Sequence, residues 1–210
     1  MKTDDLLSVL SADTVPQPTV GQRMARALPV AFGFSVAAFL LFWGLRPDLG
    51  AALGSPAVLK TMLPALFAVL ATGLAFALAH PGLRADRRSM ALGMFAAALA
   101  AALVTLTVLG GLSGLINALV TPSLAVCLLS IPVLALPFLG AALWALSTGA
   151  TLHPRLSGAV AGLMAGGAAA TVYSLYCDQD AALFALPAYS AAILFVGLVG
   201  ALAGPRLLRW

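Results

Sequence analysis

Glutamate is absent from this 210-residue sequence, and charge of either sign is scarce: seven aspartates, eleven lysines and arginines, 9% charged residues in all. A soluble domain carries about 25% charged residues. A chain this poor in charge cannot coat a water-facing globule, so its surface calls for lipid. Thiols and imidazoles are also few, with two cysteines and two histidines. No G-x-x-x-x-G-K-[ST], H-E-x-x-H or C-x-x-C run occurs, which removes the usual means of phosphate cradling, zinc hydrolysis and dithiol exchange. No serine has a recognisable base. The chain reads as non-enzymatic, and no cofactor is implied. The first 27 residues are polar and mixed, with no apolar stretch ahead of a small-residue cleavage site. No removable signal peptide is expected, and the first span should serve as its own insertion signal.

What is present is apolar length. The sequence is 62% hydrophobic, and a spanning helix needs about 20 mostly apolar residues. Six stretches qualify: Leu28 to Leu45, Leu59 to Ala79, Met90 to Leu112, Pro122 to Leu146, Ser157 to Tyr176, and Phe184 to Ala203. The expected fold class is all-α, a polytopic membrane protein built as a bundle of six transmembrane helices. Residues 1–27 form an N-terminal arm and residues 28–210 the transmembrane domain. Between the third and fourth spans, Gly111 to Thr121 carries no charge. A turn is expected there; the alternative is a longer, broken or re-entrant segment.

Orientation follows from the basic residues, which concentrate in cytoplasmic loops. With both termini cytoplasmic, Lys2, Arg23, Arg26, Arg84, Arg87, Arg88, Arg155, Arg206 and Arg209 lie inside and only Arg46 and Lys60 outside, nine of eleven. Trp144 and Trp210 then fall near the inner face and Trp43 near the outer face. The net charge of +4 is spread through short loops, so direct nucleic-acid binding is not expected. No charged residue lies deep in a span. Lys60 and Asp178 sit at span ends, where they should snorkel or meet water. His80 and His153 each precede a proline and read as helix stops.

Polar groups within the spans are few: Ser130, Thr72, Thr105, Thr107 and Thr171. A small transporter or channel needs more than this across the midplane, yet it stays the main alternative, with a passive assembly subunit as a third. Gly158, Gly162 and Gly166 repeat at four-residue spacing on the fifth span, and Gly197, Gly200 and Gly204 mark the sixth. Such stripes let helices approach closely, either within the chain or between copies; the first reading is favoured. Pro132 and Pro137 bend the fourth span, as a static kink or as a hinge.

The expected topology brings Cys127 and Cys177 to similar depth near the outer face. Cys127 lies about 8 Å inside the fourth span's outer end, and Cys177 closes the fifth. Three readings stand open: a thiol switch driven by oxidation or by a thiophilic metal, a static disulfide, or two small apolar fillers. Asp178 and Asp180 would attract a cation but slow oxidation of the thiol. In the arm, Thr3 can cap a short helix with Asp4 and Asp5 in its first turn and an apolar edge of Leu6, Leu7, Val9 and Leu10. Such a helix is too short to stand alone. It could fold in a partner's groove or lie against the membrane or the bundle.

Several stretches together resemble the NrsF family of bacterial inner-membrane anti-sigma factors: the opening M-K-T-D-D-L-L, the six spans, the cysteine in the fourth, Y-S-L-Y-C-D-Q-D around Cys177, and the closing G-A-L-A-G-P-R-L-L-R-W. The resemblance covers essentially the whole chain. It implies a protein that holds an extracytoplasmic-function sigma factor at the membrane and releases it under oxidative or heavy-metal stress. It also implies that Cys127 and Cys177 are the sensing, and possible metal-binding, pair. Tyr176 stands where many relatives are expected to carry His. Joining the two cysteines would shift the fourth and fifth spans and so alter an inner face made by the arm (Asp4, Asp5, Leu6, Leu7, Leu10) and the loop around Arg84, Asp86, Arg87 and Arg88.

Overall fold

A computed structural model describes residues 18–80, 83, 85–149 and 151–208. The residues assigned to the arm's short helix, together with Arg84, Arg209 and Trp210, lie outside the described residues. Every described element is helical. The six helices long and apolar enough to span a membrane are α1 (Val20–Phe42), α3 (Leu59–Leu78, led in by a 3-10 turn at Pro56–Val58), α4 (Asp86–Leu119), α5 (Pro122–Leu146), α6 (Pro154–Tyr173) and α7 (Ala182–Leu207). A five-residue helix, α2 (Leu49–Leu53), lies between α1 and α3.

Local chemistry explains the ends. Thr19 opens α1 with a reciprocal capping box: its Oγ1 accepts from the Gln22 amide at 3.3 Å, and Gln22 Oε1 accepts from the Thr19 amide at 3.1 Å. Two of the helix's unpaired donors are thereby satisfied. That cap starts α1 at Val20, within the stretch read from sequence as arm. Gly44 closes α1 at φ 75°, a left-handed conformation that costs glycine little. Proline stands in the first turn of α5 and of α6, where its missing N–H costs nothing.

The expected turn between the third and fourth spans is corrected. Helix α4 runs on to Leu119, broken only at Gly111, which has φ 74° and ψ 160°. The apolar residues beyond Gly111 remain good helix formers, and nothing charged obliges them to leave the bundle. Among the described residues, the broken segment held as the alternative is what forms.

Helix α6 is the axis of the molecule. Its Gly158, Gly162 and Gly166 meet α7 at Gly200, Gly204, Val196, Gly197 and Ile193. A methyl added to Gly162 would come within 2.8 Å of the Gly197 Cα. Gly167, on another face, meets Pro64 and Ala68 of α3. The glycine stripes therefore serve packing within the chain, as favoured from sequence. Helix α5 packs on α6 and α1, and α4 leans on α3 and α7 from outside, burying only Leu92.

The sparse polar groups are spent internally. The hydroxyls of Thr72, Thr105, Thr107 and Thr171 each donate to the carbonyl four residues back on their own helix, at 2.7–2.9 Å. Ser130 accepts from the Trp43 indole at 3.0 Å, and Ser35 donates to the Leu134 carbonyl at 3.0 Å. These last two bonds tie α1 to α5 near its prolines.

Candidate functional site

The alternating helices give the bundle two ends. One gathers the end of α1, the starts of α3, α5 and α7, and the end of α6. Here Cys127 and Cys177 are both buried in the apolar core that runs through the bundle. Cys127 sits in the second turn of α5, and Cys177 in the turn that follows α6, where its amide donates to the Tyr173 carbonyl at 3.2 Å. Both thiols are free. They are 0% and 2% exposed, so an oxidant or metal reaches them only if this end of the bundle opens. Tyr173 and Tyr189 are buried in the same core and meet edge to face at 6.2 Å between ring centroids. The Tyr189 hydroxyl is buried and without a hydrogen-bond partner. Among the described residues, no group of three or more His, Cys, Asp or Glu side chains is placed to hold a metal ion.

Over the cysteines lies a cluster of charge. Arg46 grips Asp48 through Nε at 2.7 Å and Nη2 at 2.8 Å, and Asp180 through Nη1 at 2.8 Å and Nη2 at 3.0 Å. Its Nη1 also donates to the Cys177 carbonyl at 3.2 Å. Lys60 Nζ donates to that same carbonyl at 2.6 Å, to Asp180 at 2.7 Å and to the Gln179 carbonyl at 3.3 Å. The loop after α6 has carbonyls with no helical partner, and two cations satisfy them.

The expectation that Lys60 meets water is corrected: Lys60 and Arg46 are each 8% exposed. Burial of a cation is tolerable only when it is paired and hydrogen-bonded, and both are. Two cations face two carboxylates, so the cluster is neutral. The bonds to Arg46, and then to Lys60, pull the Asp180 carboxyl down to about 2. Asp48 is lowered by the same guanidinium, and Arg46, held by Asp48 and Asp180, stays firmly charged. The cation that Asp180 attracts is thus the protein's own.

The opposite end holds Arg23, stacked over Trp144 at 4.9 Å from the ring centroid, and His80, whose Nδ1 lies 2.8 Å from the Phe76 carbonyl. Arg88 Nη1 donates to the Gly73 carbonyl at 2.8 Å, turning back onto the bundle, while Arg87 is exposed. The cysteines and these arginines therefore lie at opposite ends. The remaining predicted contacts, Asp4, Asp5, Leu6, Leu7, Leu10 and Arg84, lie outside the described residues.

Residues 9–210 match the family model described as negative regulator of sigma F, NrsF. The chain belongs to the NrsF family. It is 35% identical, over the full length of both chains, to the anti-sigma-F factor NrsF of Caulobacter vibrioides. It is 32% identical, again over both full lengths, to a protein of Azospira oryzae named as a probable anti-sigma-F factor NrsF. No solved structure matches it. Within this NrsF-family chain, the Arg46–Lys60–Asp180 cluster escaped the sequence reading. Its one signal is that the only two cations assigned to the outer side flank a single linker, opposite two aspartates beside Cys177.

Proposed function

We propose that this chain is a membrane-bound anti-sigma factor. It holds an extracytoplasmic-function sigma factor at the bacterial inner membrane and releases it when oxidative or heavy-metal stress joins Cys127 to Cys177 on the periplasmic side. The observation that carries the first half is the full-length likeness to a protein named an anti-sigma-F factor. The second half is supported by the location of the cysteines: the chain's only two thiols are both buried at the same end of the bundle.

Disulfide formation removes two electrons and two protons from the thiol pair and passes them to the oxidant. A thiophilic metal would instead displace the two protons. Either event draws the start of α5 toward the loop after α6. Helix α1 is bonded to both sides of that joint. Arg46, just beyond its end, holds the Cys177 carbonyl, and Trp43 and Ser35 are bonded to α5. At its other end α1 continues from the N-terminal arm. We therefore assign α1 as the lever that carries the change to the arm, where Asp4, Asp5, Leu6, Leu7 and Leu10, together with Arg84, Arg87 and Arg88, hold the sigma factor. A swing from 1:99 to 99:1 requires about 5.5 kcal/mol of bias, and a disulfide supplies about 2–4 kcal/mol. The resting balance must lie close to the threshold for a single bridge to suffice.

The test is co-purification from membranes of the tagged chain and the sigma factor encoded beside its gene, with and without diamide or cadmium. Retention that is lost on treatment but persists in Cys127→Ser and Cys177→Ser is the expected result. Release from both variants would remove the cysteine switch while leaving sequestration. No retention under any condition would remove the anti-sigma reading.

A further inference from the structure

A groove of about 580 Å³ runs between α1, α3 and α4 at the end of the bundle away from the cysteines. Its volume falls within the range of about 300–1,000 Å³ common for small-molecule sites. Gly21 and Met24 line it from α1, Val69 and Phe76 from α3, and Arg87 and Arg88 from the start of α4, at its charged mouth. Space is left open where Gly73 has no side chain, since a Cβ there would meet nothing within 4 Å. Neither arginine forms an ion pair with a carboxylate among the described residues.

The depth of the groove decides among occupants. Val69 lies nine residues before Leu78, the last residue of α3, which is about 13 Å along the helix. That reaches towards the middle of a hydrocarbon core about 30 Å thick. An extended peptide segment entering so far would carry unpaired N–H and C=O groups into lipid. An acyl chain has none to lose. The charged mouth sits at the helix end, level with headgroups, where the exposed guanidiniums of Arg87 and of Arg88, the latter also donating to the Gly73 carbonyl, complement a phosphate. A choline beside that phosphate would bring a cation against them; a headgroup of net negative charge would not.

We propose that this groove is a binding site for one anionic phospholipid, its acyl chain along Val69 and Phe76 and its phosphate between Arg87 and Arg88. The site is separate from the cysteine cluster; it shares its arginines with the face assigned to the sigma factor, but lipid retention is measured without a sigma factor, so the two readings fail separately.

The test uses the full chain in nanodiscs of mixed phosphatidylglycerol and phosphatidylcholine, followed by native mass spectrometry of retained lipid. The wild type should keep one phosphatidylglycerol in preference. R87Q/R88Q should lower that preference by about thirtyfold, near fivefold for each charge. Gly73→Leu fills the groove and leaves both charges, and it should lose the lipid as well. Equal retention of the two lipids by the wild type would overturn the proposal. Full retention in Gly73→Leu would also overturn it, by assigning the preference to surface charge alone. Lipid retention that appears only after removal of residues 1–17 would give the groove to the arm and overturn it equally.

Discussion

Seventy-two per cent of the hydrophobic stretch of α6 is buried inside the protein, against 6% of that of α4. Yet α6 is the least hydrophobic of the six spans and α4 is among the most. In water the order would be reversed, because burial there follows hydrophobicity. In lipid, apolar side chains lose nothing by facing outward, so helices are drawn inside by how closely they can pack. The glycines and alanines of α6 let α7 and α3 approach on different faces. The Leu, Val and Met side chains of α4 are as well served by acyl chains as by protein. The glycines of the two helices sharpen the point: those of α6 stand against backbone, whereas Gly93 of α4 faces open space.

This contrast breaks most directly at a single methyl. Gly162→Ala places a Cβ 2.8 Å from the Gly197 Cα, and α6 and α7 must separate to take it. We expect a loss of more than about 3 kcal/mol, read as reduced folded yield and earlier unfolding in a denaturing-detergent titration. Survival at wild-type stability would mean that close packing does not hold α6 inside.

Next comes the charged cluster that ties the loop after α6 to α1 and α3. Lys60→Met removes three bonds at once, including the one to the Cys177 carbonyl. The cost should be about 2 kcal/mol, below that of a fully buried pair, because Asp180 is 37% exposed and water screens it. The same titration measures it, and oxidative release of the sigma factor should weaken in parallel.

The cluster also has a pH signature. Asp180 and Asp48 both have carboxyls depressed in the folded protein, Asp180 to about 2. A depressed carboxylate contributes stability that is complete above its unfolded value of about 4 and is lost as pH falls through its folded value. The stability gap between wild type and Asp180→Asn should be flat from pH 5 to 8 and shrink from about pH 4 toward pH 2. A gap that varies near neutrality would point to another titrating group.

The smallest effect belongs to α4. A Cβ at Gly93 meets nothing within 4 Å, so Gly93→Ala adds only apolar surface toward lipid and stability should move by no more than about 0.5 kcal/mol. A large loss would reveal a packed partner for α4 in the membrane, such as a second copy.

Much of this was legible in the linear order of residues. Apolar length set the number of helices long enough to span a membrane. The bounds read for α5, Pro122 to Leu146, are those it has. The parity of the spans put Cys127 and Cys177 at one end before any packing was known. The reading failed where local signals were silent. Gly111 to Thr121 is apolar and uncharged, so nothing in it marks whether the helix stops, and only packing against α7 and the dihedral at Gly111 decide.

The charged cluster was hidden for a different reason. Arg46 and Asp180 are 134 residues apart, and a lone cation at a span end is conventionally explained by water. Sequence by itself determined the apolar surface, the number of helices long enough to span a membrane and the end that holds the thiols, because these follow from composition, length and parity, each a sum over local residues. Tertiary structure alone decided that α6 is the axis, that α4 is the rim, and that Lys60 and Arg46 close over Cys177. Those outcomes depend on which surfaces approach closely enough to exclude lipid and water, and such contacts join residues that no local pattern relates.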